Sequence, residues 1–134
     1  MRWSLLLIGV LMSCRDPWDF EPNDPTKPDP PGPPVLLYPA NGELIFNYAY
    51  PQDVNFEWRP VAQANYYQFE VYSDSCLSPE SLLFSNPRVL ENRLKVRFNH
   101  WGGYFWRVRA ASRNWNNYTD WSEPFKFILP NPAE

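Results

Sequence analysis

Histidine, cysteine and glycine are scarce in this chain of 134 residues, which has one His, two Cys and five Gly. Nucleophilic catalysis and zinc binding need such residues in clusters, and no GxSxG, phosphate-cradling glycine loop or zinc-like Cys/His spacing occurs. The single histidine, His100, falls in the turn "NHWGG", and the carboxylates are scattered. We therefore predict a protein that is not an enzyme and that holds no cofactor or metal.

An excess of basic residues is also missing. Twelve Lys and Arg against fifteen Asp and Glu give a formal net charge of −3. A surface that binds a phosphate backbone needs the opposite sign. The sequence therefore predicts no nucleic-acid partner.

A long hydrophobic run is missing as well. The apolar stretch over residues 3–13 ends at Arg15 and Asp16, and it is shorter than the roughly 20 residues that cross a bilayer. It follows one positive charge, Arg2, and ends in small residues, which is typical of a secretory signal. An ordinary signal peptide and a buried N-terminal strand are both open alternatives at this point.

The end of this run, Leu11-Met12-Ser13-Cys14, resembles a bacterial lipobox. In that family the cysteine is lipidated on sulfur and the chain is cut just before it. The resemblance implies that residues 1–13 are a lipoprotein signal peptide and that Cys14 is the membrane anchor. It also implies a place in the cell envelope, at the outer membrane on its periplasmic or surface face.

The second cysteine, Cys76, would then be a lone thiol. A Cys14–Cys76 disulfide is the alternative in an exported protein. Because free cysteines are most often small buried hydrophobes, we expect Cys76 to be buried and unreactive.

Half of the sixteen prolines lie in residues 15–34, "RDPWDFEPNDPTKPDPPGPP". Proline removes a backbone donor and fixes φ, so neither a helix nor a central strand forms. We predict that residues 14–34 are an extended, solvated, acidic tether that reaches roughly 60 Å. Its acidic residues resemble the export labels of Bacteroidetes-type surface lipoproteins, and Trp18 and Phe20 fit a bilayer interface.

Alternating apolar residues dominate the rest of the chain. Over 35–130 we predict an all-β sandwich of about seven antiparallel strands, followed by a tail at 131–134. The inward positions are Val54, Phe56, Trp58, Tyr67, Phe69, Val71, Leu94, Val96, Phe98, Tyr104, Trp106, Val108, Ala110, Phe125 and Phe127.

The motifs "VNFEWRPV", "ANYYQFEVY", "YFWRVRA" and "WSEPFKF" resemble, in order and spacing, a fibronectin type III domain. The resemblance implies that Trp58 is the core tryptophan of the second strand. It also implies that Tyr104 is the tyrosine corner at the start of the sixth strand. Trp58 and Trp106 are then expected to fill the space between two sheets about 10 Å apart.

The stretch "YTDWS", from Tyr118 to Ser122, resembles the WSxWS box of cytokine-receptor modules. In that family the tryptophans stack with arginines of a neighbouring strand. Since Arg107 and Arg109 point outward in the alternation, the resemblance implies that Trp121 lies over their guanidinium groups. We interpret this feature as structural.

One loop is a candidate binding surface. Ser112–Asp120 places Trp115 and Tyr118 beside Asn116 and Asn117, and aromatic rings with amides suit protein partners and also sugars. Folding of both rings back over the sandwich is the alternative. We predict docking on another envelope protein, as an accessory subunit or adhesion module; the alternative is a glycan-binding surface lipoprotein that serves an uptake system.

The family's topology also predicts where this candidate loop lies. The first strand starts at the end of the sandwich that carries the Arg59–Asn65 and Ser112–Asp120 loops. The tether is therefore expected to join the domain beside these loops, which would turn them toward the membrane.

Overall fold

Alternation with a period of two produces the strands of this protein. The computed structural model describes residues 20–133. In the strand Gln52–Trp58, for example, every second side chain is buried and the others are exposed. The elements are β1 (Leu36–Tyr38), β2 (Glu43–Leu44), β3 (Gln52–Trp58), β4 (Tyr66–Tyr72), a short 3-10 helix (Pro79–Ser81), β5 (Leu82–Val89), β6 (Arg93–Phe98), β7 (Gly102–Ala111) and β8 (Phe125–Leu129).

Two sheets face each other. The first sheet has three strands in the order β1-β3-β6, and the second has five in the order β2-β8-β7-β4-β5. The all-β sandwich is thus confirmed, but it has eight strands, and β2 pairs with β8 in parallel. The difference arises because the chain leaves the first sheet after β1, and Glu43 and Leu44 then run alongside Phe127 and Ile128.

The core between the sheets is aromatic. Trp58 and Trp106 are both fully buried, with ring centroids 6.3 Å apart, as expected from the sequence. Neither indole Nε1–H has a hydrogen-bond partner among the described residues, so these two rings stabilise the fold through packing alone. The other large aromatic side chains with no exposed surface are Phe56, Phe69 and Phe127.

The tyrosine corner implied by the fibronectin type III resemblance is present. The Tyr104 hydroxyl donates a hydrogen bond of 2.6 Å to the backbone carbonyl of His100. Tyr104 also stacks on Phe127, with centroids 5.5 Å apart. His100 thus contributes a backbone acceptor to this corner.

Strand β5 has no counterpart in the sequence prediction. It lies at one edge of the second sheet, so Leu82 and Leu83 are exposed and the alternation is weak. It also contains Pro87, and proline within a sheet is confined to edge strands and bulges. For these reasons the sequence pattern does not predict β5.

The connection from β4 to β5 holds Cys76. The thiol is free and exposed, so the expectation that Cys76 is buried is wrong. The reason is a tight turn, in which the Asp74 carboxylate accepts a hydrogen bond of 2.7 Å from the Ser78 hydroxyl. Within this turn Ser75 and Cys76 are exposed, whereas Leu77 is half-buried.

The prediction of an extended tether over 14–34 is wrong for residues 20–29, whereas most side chains of residues 20–34 are exposed, as expected of a solvated segment. This N-terminal segment turns twice and lies against the end of the sandwich that carries the 112–120 loop. Phe20 is only 6% exposed, and burial of this ring explains why the segment stays on the domain. No helix within residues 20–133 has the length and apolar character to cross a membrane.

Candidate functional site

Trp115 belongs to the hydrophobic core. It is 3% exposed, because a tight turn closed by a hydrogen bond of 3.1 Å from the Trp115 N–H to the Ser112 carbonyl directs the ring inward. The prediction that this ring serves as a binding residue is therefore wrong. The alternative, in which the ring folds back over the sandwich, describes Trp115 correctly.

Asn116 and Asn117 contact the N-terminal segment. The Asn116 N–H donates to the Pro28 carbonyl at 2.8 Å, and its side-chain Nδ2 donates to the Asp29 carboxylate at 2.6 Å. Asn117 Nδ2 donates to the Asn23 side-chain oxygen at 3.1 Å. Both amides are thus engaged within the chain.

A small second hydrophobic cluster sits beneath the N-terminal segment. Phe20 packs against Tyr118 with ring centroids 4.4 Å apart and against Tyr66 edge-on at 6.5 Å, and Ala111 completes the cluster. The suggestion that Phe20 rests at a bilayer interface is therefore wrong. Trp18 lies outside the described residues.

Tyr118 and Trp121 alternate with two arginines on the outer face of the second sheet. The Arg109 guanidinium lies 3.7 Å from the Tyr118 ring centroid and 4.6 Å from that of Trp121, and Arg107 lies 4.0 Å from Trp121. We call this set the cation–π ladder. Trp121 thus stacks on both arginines as the WSxWS resemblance implies, and Tyr118 occupies the place of the missing first tryptophan.

Hydroxyl groups fix the same stretch to strand β7. The Ser122 hydroxyl accepts a hydrogen bond of 3.1 Å from the Val108 N–H, and the Thr119 hydroxyl accepts one of 2.9 Å from the Ala110 N–H. Both side chains are buried. The role of Thr119 is absent from the sequence analysis, although its position before "DW" matches the first hydroxyl of the WSxWS pattern.

Polar neighbours hold the ladder arginines in place. Arg107 forms an ion pair of 2.8 Å with Glu70, and Arg109 donates a hydrogen bond of 2.8 Å to the Gln68 side chain. Burial lowers the pKa of the Arg109 guanidinium, and nearby Tyr118 and Glu70 partly oppose that shift. The arrangement immobilises the β4–β7 face and its following loop.

Cys14, the predicted lipidation site, lies outside the described residues. Within residues 20–133 no group of three or more His, Cys, Asp or Glu side chains is placed to hold a metal ion.

A feature missed from the sequence is an open groove of about 690 Å³ beside β5 and β6. Leu90, Leu94 and Lys95 are among its lining residues, and Leu90 is 70% exposed. The alternation of "RLKVRF" predicts which residues of β6 point inward. It cannot predict that β6 lies at the edge of a sheet, since that depends on which strands pair.

Comparisons with known proteins concern the fold alone. No family model matches the chain, and no curated protein matches it. A solved structure described as an Fn3-like protein from Clostridium thermocellum matches with a TM-score of 0.47 and 17% identity. The match covers 78% of this chain and 96% of that one. The strands of this chain themselves form the two sheets of the sandwich.

Proposed function

We propose that this chain is a non-enzymatic, lipid-anchored protein of the cell envelope whose β-sandwich docks on another envelope protein. The observation that supports this proposal is the packing of residues 20–34 along the 112–120 loop. Such packing holds the domain in a defined orientation to whatever precedes Phe20. A fixed orientation is useful to a docking module, because it reduces the entropy lost when the partner binds.

The spacing between Cys14 and Phe20 sharpens the proposal. They are six positions apart in the sequence, and an extended chain of that length spans at most roughly 20 Å. With a lipid on Cys14, the 112–120 end of the sandwich would face the bilayer at short range. The sheet edges and the opposite end, which carries Cys76 and Trp101, would then be open to a partner.

Docking is favoured over glycan binding by the state of the candidate loop. The ring of Trp115 is buried, and the side-chain amides of Asn116 and Asn117 donate to Asp29 and Asn23. A sugar needs an exposed ring to stack on and free amides to bond. Trp115, Asn116 and Asn117 offer neither in this arrangement.

In-cell crosslinking of the full-length protein, followed by detergent extraction and mass spectrometry, tests the proposal. We expect the same one or two envelope proteins in replicate experiments. Cys14→Ser should move the protein out of the membrane fraction and abolish these crosslinks, whereas the matched variant Cys76→Ser should change neither. If no protein recurs, the docking function is wrong, and if Cys14→Ser stays in the membrane fraction, the lipid anchor is wrong.

A further inference from the structure

Strand β6 stands out among the four edge strands of the described sandwich. Strand β1 has three residues and an irregular register, and β2 has two. Strand β5 carries Pro87 and pairs irregularly with β4. By contrast, β6 is six residues long, has no Pro or Gly, and pairs with β3 in unbroken register from Gln52↔Phe98 to Glu57↔Arg93.

The outer edge of β6 presents free backbone groups. In an antiparallel strand, every second residue directs its N–H and C=O away from the neighbouring strand. Strand β6 pairs with β3 on one side, and no strand of residues 20–133 pairs with its other side. A regular, uncovered edge of this kind is a template on which a further strand can add.

Apolar side chains line part of the groove beside this edge, which also holds the carboxylates of Glu57 and Glu91. Leu94 is half-buried, Val89 is buried beneath the same groove, and Leu90 stands 70% exposed at its rim. Inward-pointing side chains of an added strand would lie over these residues. Apolar side chains therefore fit the inner positions of such a strand.

The outward side chains of β6 are all cations. Arg93, Lys95 and Arg97 are exposed at alternate positions. Arg97 forms an ion pair of 3.2 Å with Asp53, and Arg93 one of 3.5 Å with Glu91. Lys95 faces the neutral Asn55 in the register, and no carboxylate of the described residues forms an ion pair with it.

The cations of β6 determine which kind of strand can pair with its free edge. Two copies of β6 paired edge to edge would bring cations opposite one another, which is destabilising, so a second copy of the chain is disfavoured. A strand with carboxylates at its outward positions would meet Lys95 favourably. Acidic and apolar residues would then alternate along that strand.

We propose that the free edge of β6 binds an extended segment of a partner protein in which acidic and apolar residues alternate, adding a fourth strand to the first sheet. This inference deepens the docking function proposed above and rests on it. Main-chain hydrogen bonds to β6 supply affinity, and the groove and Lys95 supply specificity.

Binding of labelled peptides to the full-length chain in detergent tests the inference. The probe is Thr-Glu-Val-Glu-Val-Glu-Val-Thr, with a Lys-for-Glu peptide and a peptide carrying proline at two alternate positions as controls. Of the three peptides, only the acidic probe should bind, as measured by fluorescence anisotropy. Lys95→Glu should weaken that binding by roughly tenfold, whereas Arg113→Glu, an equal charge change on an exposed loop residue, should leave it unchanged.

Hydrogen exchange separates strand addition from simple charge attraction. Saturating acidic probe should slow amide exchange within Arg93–Phe98. The inference is overturned if the acidic probe does not bind, or if it binds without slowing exchange within Arg93–Phe98. Equal binding by the proline peptide would also overturn it, because proline cannot supply the main-chain N–H donors.

The in-cell crosslinking experiment repeated with Lys95→Glu shows which proposal fails. Loss of the recurring partner supports the β6 edge as its site. Retention of the partner leaves the docking function standing and overturns β6 as its surface.

Discussion

The sandwich and the N-terminal segment that lies on it are held by very different amounts of packing. The sandwich buries Trp58, Trp106 and several phenylalanines completely between two hydrogen-bonded sheets. Residues 20–34 are attached mainly by the buried side chains of Phe20 and Pro34 and by hydrogen bonds to Asn116 and Asn117. We therefore expect the segment to detach while the sandwich remains folded, because local openings require far less free energy than global unfolding.

The largest effect is expected from Trp106→Ala in the sandwich core. Trp106 contacts Phe56 at a centroid distance of 5.0 Å and Phe69 at 5.8 Å, so its removal leaves a large cavity. We expect a loss of about 3–5 kcal/mol in the free energy of unfolding, measured by urea denaturation followed by circular dichroism.

Trp106→Phe is the matched control for that prediction. It should cost clearly less, because the indole N–H has no partner to lose and much of the ring volume is kept. Equal losses for the two variants would contradict the view that Trp106 stabilises the core by packing alone.

Phe20→Ala tests the other side of the comparison. Full burial of a phenylalanine contributes about 1.5–3 kcal/mol, and here that free energy holds the segment to the domain. We expect faster amide exchange at Asp24 and Asn116, whose N–H groups donate across the contact. The urea midpoint of the sandwich should barely move.

Pro22→Ala, at an exposed neighbouring position, serves as the control and should leave exchange at both amides unchanged. A large fall in the urea midpoint with Phe20→Ala would mean that the segment and the sandwich unfold as one unit.

Trp121→Ala addresses the ladder that joins the two regions through Tyr118. The variant loses the stacking of Trp121 on both Arg107 and Arg109, and a partly buried cation–π contact contributes about 0.5–2 kcal/mol. We expect a loss of roughly 1–2 kcal/mol in global stability. Trp121→Phe should retain part of the stabilisation that Trp121→Ala removes. A Trp121→Ala variant as stable as the wild type would contradict a structural role for the ladder.

Acid should produce the smallest effect, confined to the segment. Hydrogen bonds from the Thr26 hydroxyl and N–H, at 2.6 and 2.9 Å, lower the pKa of Asp24 below its ordinary 3.8. The ionised form is thus favoured in the folded segment. This contribution is complete above pH 3.8 and is lost as the pH falls through the lower folded-state pKa.

The amide proton of Thr26, followed by NMR, measures this titration. Its chemical shift should move below pH 3.8, and Asp24→Asn should abolish the movement. A titration midpoint at or above pH 3.8 would contradict the view that hydrogen bonds from Thr26 lower the pKa of Asp24.

Much of the sandwich can be predicted from the sequence, because strand alternation and burial are properties of neighbouring residues. Val54, Phe56 and Trp58 are buried as predicted, and so are Tyr104 and Trp106. The stacking of Trp121 on two arginines also follows from a local motif and an adjacent strand.

The candidate site could not be predicted in the same way. Proline content indicates an extended chain, but whether such a chain lies in solvent depends on a distant surface. Here that surface is formed by Tyr66, Ala111 and Tyr118, which meet only after β4, β7 and the following loop are in place. The burial of Trp115 and the free edge of β6 are likewise outcomes of long-range pairing.

Because Cys76 has a free and exposed thiol, the number of reactive thiols per chain tests whether Cys14 carries a lipid. The chain has two cysteines, and Cys76 is free and exposed at the end of β4, away from the N-terminal segment. A maleimide added to the denatured and reduced protein will count one reactive thiol per molecule if Cys14 carries a thioether-linked lipid, and two if both cysteines are present and unmodified. The same label on the native protein stands at the opposite end of strand β7 from Phe20. If Cys14 is lipidated as proposed, the distance from this label to the bilayer surface would measure the height of that end of the sandwich.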